Sequence, residues 1–64
     1  ACNSVTVYSG TAALAAAAPT VAPGGFIYLE APREFGTAPA GFALHRHLHA
    51  GAVHAHLFVR DATG

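Results

Sequence analysis

Residues 42–61 read FALHRHLHAGAVHAHLFVRD, and they contain all five histidines of the 64-residue chain: His45, His47, His49, His54 and His56. The histidines recur at every second position on either side of Ala50-Gly51. A period of two is the signature of a β-strand, in which residues i and i+2 share a face. With Ala50-Gly51 as a two-residue turn, His49 lies opposite Ala52, His47 opposite His54 and His45 opposite His56. Directly paired residues share a face, so all five imidazoles emerge from one side of a ribbon. The other side carries Phe42, Leu44, Leu48, Val53, Ala55, Leu57 and Val59, interrupted by Arg46. The sequence therefore predicts an amphipathic C-terminal hairpin with an apolar core side and a histidine side.

Upstream, Ser4-Val5-Thr6-Val7-Tyr8-Ser9 alternates and is rich in β-branched residues, as a half-buried strand does. Thr11 is placed to cap a two-turn helix across the alanine run Ala12 to Ala18, which Pro19 ends. A helix that short needs packing support, and an irregular or extended segment is the alternative. Ala22-Pro23-Gly24-Gly25 has the Pro-Gly order of a type II turn. The next strand, Phe26 to Glu30, is apolar on both faces, so its second face needs a cover. Pro32 ends it, and Arg33 to Gly41 reads as a loop anchored by Phe35. The expected fold is a single domain over residues 1–64. It is mainly β, a small antiparallel sheet or open barrel of about four strands with one short helix.

Composition narrows the function. Charged residues make up 9% of the chain, there is no lysine, and the formal net charge is zero beside 53% hydrophobic residues. Ordinary soluble domains carry about 25% charged residues, and a surface this poor in charge invites association. No basic patch is present to meet phosphates, which argues against nucleic-acid binding. The longest apolar run, Ala12 to Ala18, is far short of the roughly 20 residues that a membrane span needs. Cys2 is the only cysteine, so no disulfide forms within the chain. A domain of this size leans on a metal or on partners for stability.

Two functions fit these features. The first is a non-enzymatic structural subunit without a cofactor. It would decorate or cement a larger particle of the virion-capsid kind, or assemble with itself, in a virion or other extracellular assembly. Its partners would be other protein subunits, met through Phe26, Tyr28, Phe35 and His49. The second is a histidine-rich module for zinc, copper or nickel, with His45, His47, His54 and His56 as ligands. Gly41 to His47 resembles the Gly then His-x-His start of the cupin metal motif. The stretch His49 to Ala52 holds no acidic ligand to complete that motif. Carboxylates to orient the imidazoles are also missing from the histidine segment, which favours the assembly reading. Catalysis has little support: Ser4, Ser9, Thr11 and Cys2 sit in no nucleophile motif.

Overall fold

A computed structural model describes residues 2–8 and 10–62, with Cys2 described through its backbone alone. The elements are β1 (Cys2–Tyr8), α1 (Thr11–Ala17), a 3-10 turn (Ala18–Thr20), β2 (Val21–Ala31), β3 (Phe42–Ala50) and β4 (Val53–Arg60). Ser9, the expected end of the first strand, lies outside the described residues. The strands form one open sheet in the order β1-β2-β4-β3. The fold is thus mainly β with four strands and a short helix, as the sequence indicates, and it is not closed into a barrel.

The sheet is mixed where an antiparallel one was expected. β1 and β2 run parallel, from Ser4↔Phe26 to Tyr8↔Glu30, whereas β2–β4 and β3–β4 are antiparallel. The alanine run explains the parallel pair. Parallel neighbours need a crossover, and α1 with the following 3-10 turn supplies it in few residues. Gly10 and not Thr11 occupies the N-cap, without a side-chain capping bond. Leu14 is the single buried residue of α1 and holds the helix to the sheet.

β2 begins earlier than the alternation suggests, because Pro23-Gly24 interrupts it without ending it. Two steps along β1, from Cys2 to Ser4, match five along β2, from Val21 to Phe26. Gly24 takes a φ of 81°, which a side chain disfavours. At Gly25 a Cβ would stand 2.7 Å from the Asn3 carbonyl oxygen, so the two backbones meet there.

One face of the sheet is covered. Val7, Val21, Ile27, Leu29, Ala31 and Phe58 are buried there with Leu14 from α1 and Phe35 from the 32–41 loop. The Arg60 guanidinium donates to the Val21 carbonyl at 2.5 Å, tying the end of β4 to the start of β2.

The hairpin inverts the expected orientation. Its turn is Gly51-Ala52, with Gly51 at φ 59°, so Ala50 pairs with Val53, His49 with His54 and His47 with His56. A glycine with positive φ suits the first central position of a primed hairpin turn, which favours Gly51 over Ala50 there. A bulge then falls at His45, between Leu44↔Phe58 and Arg46↔Leu57. The extra residue lets Phe42 and Leu44 share the covered face with His47 and His49, although strict alternation would put them on opposite faces. The histidine side is therefore the inner side. Leu48 and Val53, expected in the core, are 62% and 44% exposed.

Candidate functional site

His56 is completely buried, and both ring nitrogens have partners. The Phe35 backbone N–H donates to Nε2 at 2.9 Å, and Nδ1 faces the Leu29 carbonyl at 3.4 Å. Because Nε2 accepts, the geometry assigns the imidazole proton to Nδ1. The Phe35 ring meets His56 edge-on at 5.7 Å, and the Arg33 guanidinium lies 4.9 Å from the Phe35 ring centre. Phe35 and His56 together latch the 32–41 loop onto β4.

Outward from this latch the rings form a column. His47 stacks on His56 at 4.8 Å, and His49 on His54 at 4.2 Å. Nε2 of His47 and Nδ1 of His54 share a hydrogen bond of 2.9 Å, while Nδ1 of His47 is 3.8 Å from a Glu34 carboxylate oxygen. Burial, followed by the neighbouring His49 and His47, lowers the pKa of His54 from 6.5, and Glu34 opposes that shift. The expected ligand set does not converge. His45 stands alone on its bulge, His56 is committed to the latch, and His47 and His54 are bonded to each other. Among the described residues, no three His, Cys, Asp or Glu side chains are arranged to hold a metal ion.

A different candidate site lies where the parallel strands end. In open α/β sheets, ligands bind in the crevice outside the carboxyl ends of the strands. Here those ends carry the paired Tyr8 and Glu30. The Tyr28 hydroxyl donates to Oε2 of Glu30 at 2.9 Å. That bond, together with partial burial and the Glu30 charge, raises the Tyr28 pKa above 10.0. A shallow cavity of about 230 Å³ opens beside them, lined by Tyr8, Glu30, Ala31, Pro32, Ala52 and Val53. In this group the sequence marked Tyr28 as a contact residue and Glu30, with Glu34, as a carboxylate available for base chemistry. Tyr8 joins them only once β1 and β2 are known to be parallel.

The four residues expected at an interface separate in the same way. Phe26 and Tyr28 are 41% and 36% exposed on the open face, whereas Phe35 is buried inside the chain. His49 is exposed at the hairpin end.

The chain thus joins a parallel strand–helix–strand unit to an antiparallel hairpin in one sheet. A solved structure, "Putative methyltransferase yhhF from Escherichia coli", matches with a TM-score of 0.79 and 28% sequence identity. The match covers 94% of this chain and 39% of that protein, so the chain spans about two fifths of its neighbour's length. No protein-family model matches, and no curated protein sequence does either. The likeness overturns the expectation of a non-enzymatic virion or capsid subunit, because it points to the fold of an enzyme. Low charge and apolar residues on both strand faces suggested a particle subunit. Apolar residues on both faces are equally a feature of parallel strands, and β1–β2 is a parallel pair.

Proposed function

We propose that this chain forms one flank of the sheet in a methyltransferase-like domain and acts with further segments that bind the methyl donor. The observation that supports it is the likeness to the E. coli protein, which extends over nearly the whole chain at a TM-score of 0.79. The chain has no glycine-rich turn between a strand and a following helix of the kind that cradles a nucleotide-like cofactor. Its contribution is instead the rim of the site. Tyr8 and Glu30 stand at the carboxyl ends of adjacent parallel strands, and Tyr28 fixes the Glu30 carboxylate from below. The Phe35–His56 latch keeps the neighbouring loop on the opposite face and clear of that rim.

The test pairs this chain with the part of the E. coli protein that it does not cover. Transfer of an isotopically labelled methyl group into total cellular nucleic acid and protein is then measured. Incorporation that needs both polypeptides, and that falls when Glu30→Ala is used, is the expected result. A bound pair that transfers no more label than the E. coli part alone would overturn the proposal.

A further inference from the structure

The bond that latches the 32–41 loop ends on a nitrogen that can itself hold a proton. His56 is completely buried, its Nδ1 faces the Leu29 carbonyl at 3.4 Å, and its Nε2 accepts the Phe35 N–H at 2.9 Å. A neutral imidazole has one N–H and one bare nitrogen, whereas the imidazolium has two N–H groups and no acceptor. With the loop in place, a proton on Nε2 would set N–H against N–H. From β4 the ring faces His54 and Phe58 at 6.4 and 5.8 Å, and from β3 it faces His47 at 4.8 Å. β2 presents the buried Leu29 and Ala31 on that side, and α1 carries no ionisable side chain. The loop brings Arg33, whose guanidinium lies over the Phe35 ring, and one carboxylate, Glu34. Glu34 is 62% exposed and stands 3.8 Å from Nδ1 of His47, a contact of the weak surface kind. Burial, followed by His49 and His47, already lowers the pKa of His54 in the same column.

We infer that the 32–41 loop is released by acid: closure over His56 and a proton on its Nε2 exclude each other, so falling pH lifts Phe35 off the hairpin. The proton comes from solvent and ends on Nε2. The hydrogen bond from the Phe35 N–H breaks, and Nδ1 keeps its own proton throughout. The open loop thus binds one proton that the closed loop does not, and its population rises as the pH falls. An imidazole in water takes up its proton near pH 6.5, so the open loop gains about thirtyfold between pH 8 and pH 5. The Glu34 contact acts in the opposite sense, because a charged His47 attracts the carboxylate. An exposed pair of this kind offsets roughly fivefold at most, which leaves a net gain of roughly fivefold to thirtyfold. Pro32, at the root of the loop, also walls the cavity beside Tyr8 and Glu30. On the methyltransferase-like reading, release therefore loosens one wall of that rim in acid; the release itself does not depend on that reading.

Amide hydrogen exchange on the isotope-labelled chain provides the test, with each rate corrected for the intrinsic effect of pH. From pH 8 to pH 5 the Phe35 amide should lose roughly fivefold to thirtyfold more protection than the Ile27 and Leu29 amides of β2. Phe35 protection that merely follows those two strand amides would overturn acid release. His56→Gln offers a carbonyl acceptor in place of Nε2 and removes the titration, so the extra loss at Phe35 should vanish; its persistence would overturn the proposal too. Should that variant fail to fold, the ring nitrogen shifts of the wild type decide the matter. Nε2 of His56 should change from acceptor to N–H over the pH range in which Phe35 loses protection. A protonated Nε2 beside a still-protected Phe35 amide would refute the exclusion. Glu34→Gln should deepen the loss toward about thirtyfold, whereas a loss abolished by that change would place the switch at Glu34 and overturn the role of His56. No methyl transfer is measured, so the outcome is independent of the proposed activity.

Discussion

Replacing His56 probes the inverted hairpin at its centre. The imidazole is completely buried, and its Nε2 is the acceptor for the Phe35 N–H. In His56→Ala that amide loses its partner in a dry environment, at a cost of about 1–3 kcal/mol. Truncating a core side chain to alanine adds roughly 2–5 kcal/mol through lost contacts and the cavity left behind. A chain of this length has a total stability of about 3–10 kcal/mol, so His56→Ala is expected to leave much of the protein unfolded. His56→Leu separates the two effects. It keeps most of the volume and removes only the acceptor, for an expected loss of about 1–3 kcal/mol. At 1.4 kcal/mol per factor of ten, the Phe35 amide should exchange roughly tenfold to a hundredfold faster in that variant. Urea unfolding measures the global loss, and residue-resolved hydrogen exchange measures the local one. If the Phe35 amide keeps its wild-type protection in His56→Leu, the latch does not exist as described.

Three further outcomes follow from the same geometry. The pKa of His54 is lowered from 6.5 by burial and its histidine neighbours, so the unfolded chain takes up the proton first. Stability present above about pH 6.5 should therefore fall as the pH drops through that value toward the lower folded-state pKa. A shallower decline of the urea midpoint from pH 8 to pH 5 in a His54→Gln variant than in the wild type is expected; two parallel curves would contradict it. The Tyr28 phenol is raised mainly by its bond to Glu30, so Glu30→Gln should bring it down toward 10.0, read as phenolate absorbance. An unchanged Tyr28 titration in that variant would show the bond to be absent. Gly25→Ala would force a Cβ to within 2.7 Å of the Asn3 carbonyl oxygen, and should cost about 1–3 kcal/mol with β1 amides losing protection first. Wild-type stability in Gly25→Ala would place β1 farther from β2 than the register requires.

The strands and the hairpin were legible in the sequence because alternation is a local property. Which side of the hairpin faces inward was not. Leu48, Val53, Leu57 and Val59 argued for one face, while Phe58 shares its parity with His54 and His56 and argued for the other. The bulge at His45 decides between them by bringing Phe42 and Leu44 to the Phe58 side, and alternation carries no sign of a bulge. Phe35 then gives His56 a backbone partner across 21 positions of sequence, a contact that no spacing rule reveals. The parallel direction of β1 was hidden for a related reason. An alanine run of seven residues reads equally as crossover helix or as loop until Leu14 is seen to reach the core. The placing of Tyr8 beside Glu30 and Tyr28 depends on that direction and was missed with it.

Cross-strand nuclear Overhauser contacts in solution test the central claim, a parallel β1–β2 unit whose sheet keeps its histidine side inside. The expected result is contacts of Thr6 with Tyr28 and Tyr8 with Glu30 in parallel register, the His56 ring beside the Phe35 amide, and a Leu48 side chain open to solvent. An antiparallel β1, or a His56 ring in water with Leu48 and Val53 in the core, would contradict it.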